Sequence, residues 1–354
     1  MVDAQRITIQ KVASSRVQKF DFSDIPFGKH YTDHMFVADF RGGEWKNPRI
    51  VPYGNITVSP ATPAIHYAHS IFEGLKAYRS ESGEALVFRP FENLKRLNRS
   101  AERMCMVAVP EDLYGESLRE LISVDRDWIP KAPGASLYIR PFVFSADEYI
   151  GIRPSVDFTY MIILSPVGMY YAAPVKVKIE TFYTRAVEGG TGAAKTGGNY
   201  AASIYPALLA QKEGYDQLLW TDGKAHEYIE ESGTMNVMFI MNDTLVTPAL
   251  TDSILPGITR DSVLTLAKHW GMKVEERKVS VREVVDALKS GDMQEAFGVG
   301  TAATIAHIEA IGIDGKDYTL PPVADRVYAN RLYDELEGIK RGTKGDPFDW
   351  MVRM

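Results

Sequence analysis

The sequence holds one cysteine, Cys105, among 354 residues. A lone thiol cannot close an internal disulfide, and there is no C-x-x-C spacing to bind a metal or shuttle electrons. Cys105 sits inside the apolar run MCMVAV and reads as a buried, inert side chain. Positive charge is not in excess: the formal net charge of −6 argues against a nucleic-acid partner, which needs a basic surface. Long apolar runs are missing as well. The opening MVDAQRITIQKVASSR lacks the apolar core of a signal peptide. The longest apolar segment, YMIILSPVGMYYAAPV, is broken by Ser165, Pro166 and Gly168 and falls short of a membrane span. A cytoplasmic protein without repeats or low-complexity tracts is expected.

What remains is ordinary globular composition, with 45% hydrophobic and 24% charged residues, so the chain folds and packs. Its length exceeds what one core usually organises, and two domains are expected. HMFVADF closes on the glycine-rich turn RGGEW, a hairpin signal. FENLKRLNRSAERM places Leu94, Leu97, Ala101 and Met104 at helical spacing, with Arg96, Arg99 and Arg103 on other faces. ASLYIRPFVFS and DFTYMIILSP read as paired long strands, and alternation puts Tyr138 and Arg140 on one face of the first. VGMYYAAP is the natural connection between halves. Strand VKVKIETFY, the alanine-rich helix YAASIYPALLAQKEG, strand YDQLLWTD and three further helices then follow. Strands and helices are mixed without regular βαβ winding, which predicts an α+β, or mixed α/β, fold. The division expected is residues 1–168, a linker at 169–182, and 183–354.

EGGTGAAKTGGNY invites a nucleotide-binding reading, with Lys195 and Thr196 behind glycines. The phosphate loop needs a glycine just before the lysine and a helix opening at it. Ala194 stands in that place, and Gly197 and Gly198 each cost about 1 kcal/mol inside a helix. A helix is therefore expected only near Tyr200. The other reading is covalent chemistry: a lysine on tight backbone that binds an aldehyde cofactor and sheds its proton. Such a cofactor also needs a carboxylate for its ring nitrogen, a hydroxyl for its ring oxygen, and phosphate donors. Spacing alone does not separate Lys195 from an ordinary surface lysine.

Eight segments together do. FGKHYTDHMF, IHYAHSIFEGLKAYR, FRPFENLKRLNRSAERM, LYIRPFVF, KTGGNYAAS, EESGTMN, ILPGITR and FGVGTAA resemble, in order, the signature segments of branched-chain amino-acid aminotransferases. These are pyridoxal-phosphate (PLP) enzymes of fold type IV. The resemblance spans residues 27 to 302 and implies a smaller N-terminal α/β domain and a larger C-terminal domain with a β-barrel-like core. It implies that Lys195 binds the cofactor and is the catalytic base, that Tyr200 bonds the ring oxygen, and that Glu231 pairs with the pyridine nitrogen. Glu230 competes for that last role, but strand alternation lets only one face the ring. Arg96, Ile258, Thr259 and Thr301 are implied for the phosphate. Phe27, Tyr67, Phe72, Tyr138, Tyr170 and Thr234 are implied for the substrate pocket, Arg140 for the side-chain carboxylate of glutamate, and Thr301 and Ala302 for the α-carboxylate.

The activity so implied is ping-pong transamination of leucine, isoleucine and valine with 2-oxoglutarate, in branched-chain amino-acid biosynthesis, by a homodimer or larger assembly. The alternatives are a D-amino-acid aminotransferase or an aminodeoxychorismate lyase of the same fold, against which YIR and IHYAHSIFEG speak. Loss of Lys195, Tyr200 or Glu231 would mark a catalytically silent relative, and all three are present. The redox C-x-x-C of some members is replaced by ATIA, residues 303–306. His66 and His69 lack the further ligands zinc needs, so no metal is expected.

Overall fold

The computed structural model describes residues 6–169 and 173–354. They form two compact units, one made of residues 6–169, 194–198 and 338–354, the other of residues 173–193 and 199–337.

The first unit is built on a nine-stranded sheet. Its strands are β1 (Thr8–Ile9), β2 (His34–Arg41), β3 (Glu44–Pro52), β4 (Ser70–Phe72), β5 (Leu75–Arg79), β6 (Ala85–Phe88), β7 (Ser136–Ser145), β8 (Phe158–Val167) and the closing strand Met351–Arg353. The spatial order is β1-β3-β2-β8-β7-β5-β6 and the closing strand, with β4 also on β7. The expected hairpin is β2–β3, where Arg41 faces Glu44 across Gly42 and Gly43. Both glycines have positive φ, 62° and 85°, as a tight two-residue turn between twisted strands requires. β7 and β8 pair antiparallel over ten residues each, as their patterns predict.

Helices α2 (Pro90–Arg103) and α3 (Glu111–Val124) follow the short α1 (Pro63–Tyr67). Leu94, Leu97 and Ala101 of α2 and Leu118, Leu121 and Ile122 of α3 share one core with Leu137, Ile139 and Leu164 of the sheet. Since Leu137 and Ile139 enter this core, alternation turns Tyr138 and Arg140 to the opposite face of β7. Cys105 corrects the sequence reading: it is exposed. The chain leaves α2 with Cys105 at φ 52°, which turns the thiol outward while Met106 and Val109 take the buried places.

The second unit contains β9 (Val175–Ile179), β10 (Gln217–Thr221), β11 (Ile229–Ser232), β12 (Met235–Met241), β13 (Thr244–Pro248), β14 (Lys273–Arg277), β15 (Met293–Gly300), β16 (Thr304–Ile313) and β17 (Lys316–Thr319). β11, β10, β9, β16, β15 and β12 are joined in that order, and a β11–β12 pairing closes them into a barrel-like ring. Val177, Leu219, Val237, Phe239, Ile308 and Ile311 belong to its core. Helices α4 (Gly197–Lys212), α5 (Ile258–His269), α6 (Val281–Ser290) and α7 (Val327–Arg341) complete the chain. Helix α6 shows its sequence logic plainly: Ser280 caps it by accepting from Glu283 N at 3.0 Å, and Gly291 ends it in the left-handed conformation.

Val175–Ile179 of the expected strand VKVKIETFY is β9, and by its contacts the first unit includes residues 194–198 and 338–354. One boundary differs from the sequence expectation. Helix α4 begins at Gly197, three residues before Tyr200. Its two glycines occupy the first turn, where backbone N–H groups lack helical partners in any case, so their cost is small.

Leu97 is fully buried under the sheet. Leu97→Ala is expected to lower unfolding stability by about 2–5 kcal/mol in urea titration, and a loss under about 1 kcal/mol would show that this core collapses onto the gap.

Candidate active site

In the first unit, Lys195 is held by its own backbone. Its N–H donates to Ser100 Oγ on α2 at 2.9 Å, and its C=O accepts from Phe72 N on β4 at 3.0 Å. The next residue repeats the attachment: Thr196 Oγ1 donates to Ser70 O at 2.7 Å, and Thr196 pairs with Ile71 as an antiparallel bridge. The lysine thus sits on an added edge of β4, two residues ahead of α4. That is not the geometry of a phosphate loop, where the lysine opens the helix. Its Nζ lies 4.9 Å from the centre of the Phe72 ring.

Beside it is a buried ion pair. Glu73 is fully buried and accepts from Arg96 Nε at 2.7 Å, Arg96 Nη2 at 2.9 Å, Asn93 Nδ2 at 2.8 Å and Gly74 N at 3.1 Å. Burial pushes this carboxyl up, but the Arg96 charge and hydrogen bonds, the Lys195 charge and Asn93 together hold it below its usual range. Arg96 is itself buried, whereas Arg99 and Arg103 are exposed, so the helix's basic stripe is solvated at two of its three arginines.

Phe72 also carries Arg140, whose guanidinium carbon lies 4.6 Å from the ring centre and 5.3 Å from that of Tyr138. Arg140 Nη2 donates to Tyr138 Oη at 2.9 Å, and Arg140 Nε is buried without a hydrogen-bond partner. Phe27 meets Tyr138 edge-on at 4.9 Å. A Cβ on Gly74 would overlap Tyr138 Oη, so the glycine of FEG is what lets this ring lie there. Tyr67 ends α1, half-exposed beside His66, and the following Ala68 reverses the chain at φ 50°. Tyr170 lies outside the described residues. His66 Nε2 bonds Pro60 O and His69 Nε2 bonds Met104 O, so both rings tie the backbone together. Among the described residues no group of His, Cys, Asp or Glu could hold a metal.

In the second unit, Glu231 on β11 is buried and fixed on three sides. Arg185 Nη2 reaches Oε2 at 2.9 Å, and Oε1 accepts from Leu255 N at 3.0 Å and Asn236 Nδ2 at 3.1 Å. These donors favour the ionised carboxylate. Glu230, its neighbour, accepts from Ser253 Oγ, while its Oε2 is buried without a partner. Alternation along β11 does separate the two acids. Gly233, at φ 57°, then turns the chain so that Thr234 is exposed between β11 and β12.

Several groups meet at this end of the ring. Gly298 and Gly300 of β15 pack against Met235, which brings the β15–β16 turn, with Thr301 and Ala302, beside the start of β12. Asn236 Nδ2 also donates to Leu255 O, and Gly257 packs against Asn236, which anchors the start of α5 there. The N-cap of α5 is Gly257, which has no side chain to offer, so the N–H groups around Ile258 and Thr259 suit an anion. Tyr200, the fourth residue of α4, is half-buried.

Four residues that matter here escaped the sequence reading. Glu73, Ser100, Arg185 and Asn236 act as partners of other residues, and periodicity carries no signal for a partner. Only the adjacency of Glu73 to Phe72 in IHYAHSIFEG hinted at one of them.

Residues 70–311 match the amino-transferase class IV family. The branched-chain-amino-acid aminotransferase 2 of Bacillus subtilis is 44% identical over 348 residues, covering 97% of this chain and 96% of the relative. The corresponding enzyme of Mycolicibacterium smegmatis is 43% identical over 351 residues, covering 97% and 95%. The solved Escherichia coli branched-chain amino acid aminotransferase superposes with a TM-score of 0.72 at 28% identity, covering 90% of this chain and 98% of that one. The chain belongs to the class IV aminotransferases, and within them to the branched-chain-amino-acid aminotransferases.

Burial pushes the Glu230 carboxyl above its usual value, more than Ser253 and the Arg185 charge pull it down. The folded state therefore holds this proton to higher pH than the unfolded chain, and its contribution to stability is lost as pH rises through the folded value. Glu230→Gln, uncharged and of equal size, is expected to melt higher than the parent at neutral pH. The advantage should shrink as pH falls into the ordinary carboxylate range. A difference independent of pH in thermal melts would assign the effect to packing.

Proposed function

We propose that the protein transfers the amino group of leucine, isoleucine and valine to 2-oxoglutarate, with pyridoxal phosphate bound to Lys195. The observation that carries this is the fixed lysine: both of its backbone hydrogen-bonding groups are engaged and its amine lies over Phe72. The two units between them supply the groups such a cofactor needs in kind: a lysine amine and a buried arginine in the first, a carboxylate paired with arginine and a helix end with glycine at its N-cap in the second. When bound, pyridoxal phosphate supplies the carbonyl that takes up nitrogen and a ring that accepts the electrons left on the substrate Cα.

The chain's own groups do the rest. Lys195 Nζ holds the cofactor between turnovers and moves the proton on the substrate Cα. Glu231, kept anionic by Arg185, Asn236 and Leu255 N, holds a proton on the pyridine nitrogen. Tyr200 donates to the ring oxygen. Arg96, the first-turn N–H groups of Ile258 and Thr259, and Thr301 bind the phosphate. Phe27, Tyr67, Phe72, Tyr138 and Thr234 contact the substrate, with Thr301 and Ala302 at its α-carboxylate. Each methylene buried against such rings is worth about 0.8 kcal/mol, which favours branched aliphatic side chains. Arg140 receives the distal carboxylate of glutamate, a role supported by its partnerless buried Nε. Exposed apolar residues Tyr149, Ile150, Ile152 and Val156 on one loop support assembly of chains as a homodimer.

The purified protein should be yellow and should transaminate L-leucine with 2-oxoglutarate, and Lys195→Ala should cut the rate by about 10²–10⁴-fold or more. Normal turnover by that variant would end the proposal. Arg140→Met should raise KM for 2-oxoglutarate about tenfold or more while barely changing that for leucine, because a buried site built for a charged group loses most when the pairing goes. Turnover of D-alanine in place of L-leucine would favour the D-amino-acid aminotransferase reading.

A further inference from the structure

We infer that Glu73 is a positioning residue for phosphate recognition, acting through Arg96 and touching neither cofactor nor substrate. The inference rests on Arg96 being a phosphate ligand, as proposed above. The geometry is unusual for a surface helix: Asn93 and Arg96, three residues apart on α2, converge on one carboxylate of the β4–β5 segment. Glu73 takes the Nε–Nη2 edge of the guanidinium, which leaves the Nη1–Nη2 edge turned away from it. Asn93 and Gly74 N satisfy Oε2 further and stop the carboxylate from rotating.

Stability does not explain this arrangement. A fully buried ion pair adds little net stability over apolar side chains of the same volume, because desolvation offsets the attraction. Arg96 is buried and long, and an unpaired arginine would lose side-chain entropy each time an anion bound. With Glu73 in place that ordering is complete before the ligand arrives, which is how preorganisation raises affinity. The carboxylate also offsets one of the two positive charges in its surroundings, Arg96 and Lys195, so the pair of cations is tolerated without an anion.

The test compares two ligands that differ only in the phosphate. Cofactor is stripped from the parent, Glu73→Gln, Glu73→Asp, Arg96→Ala and the Glu73→Gln/Arg96→Ala double variant, and each is titrated with pyridoxal phosphate and with pyridoxal by absorbance. Glu73→Gln should weaken pyridoxal phosphate about tenfold or more, as loss of a group orienting a binding side chain does, and pyridoxal by less than about twofold. Glu73→Asp, charged but shorter, should fall between. The double variant should be no weaker than Arg96→Ala alone, within about twofold, since coupled residues are not additive. Asn93→Ala keeps both charges and should show a smaller loss with the same selectivity; it decides the matter if Glu73→Gln does not fold. Equal losses for both ligands, additive losses, or parent-like binding by Glu73→Gln beside a weakened Arg96→Ala would overturn the role of Glu73 alone. Parent-like binding of pyridoxal phosphate by Arg96→Ala would instead overturn the reading of Arg96.

Discussion

The interaction on which the rest depends is the pair of backbone hydrogen bonds at Lys195, one to Ser100 Oγ and one from Phe72 N. A lysine side chain has four rotatable carbons, and its amine is placed only as well as its Cα is. By using main-chain groups for the anchor, the fold fixes the Cα without relying on the amine. It also explains why five residues, 194–198, belong to the first unit while the chain on both sides belongs to the second. Ser100 in turn donates to Arg96 O at 3.0 Å, so the helix that carries the buried arginine also carries the clamp of the lysine.

Both units solve one electrostatic problem in the same way. Glu73 with Arg96, and Glu231 with Arg185, are carboxylates buried against an arginine and completed by an asparagine and a backbone N–H. A buried carboxylate is costly unless its lone pairs are met, and here each has three or more donors. What differs is the use. Under the proposed function the arginine is the working group of the first pair and the carboxylate holds it; in the second the carboxylate works and the arginine holds it.

Much of this was legible in the sequence. Strand alternation placed Tyr138 with Arg140, helical spacing placed Leu94, Leu97 and Ala101 in a core, and the glycines of RGGEW marked their hairpin, because each follows from local geometry. Alternation also separated Glu230 from Glu231 along one strand. VKVKIETFY reads as a strand from its alternation, and it is β9, held by pairing with β10 and β16. The places where reading failed share a cause. Cys105 was assigned to the interior from its apolar neighbours, but a single left-handed residue after α2 reverses which side chains face in. The start of α4 was set too late because glycine cost was counted as for a helix interior. Glu73, Ser100, Arg185 and Asn236 depend on contacts between residues far apart in the chain, which no local pattern encodes.

The outward turn at Cys105 has a practical side. A chain whose one thiol is exposed can be labelled at a single defined place by a maleimide dye, without removing other cysteines. That place lies two residues beyond the last turn of α2, the helix bearing Arg96 and Ser100. A fluorophore there would sit on the far end of the element that anchors the lysine, and its polarisation would report motion of that helix during turnover without a reagent inside the site.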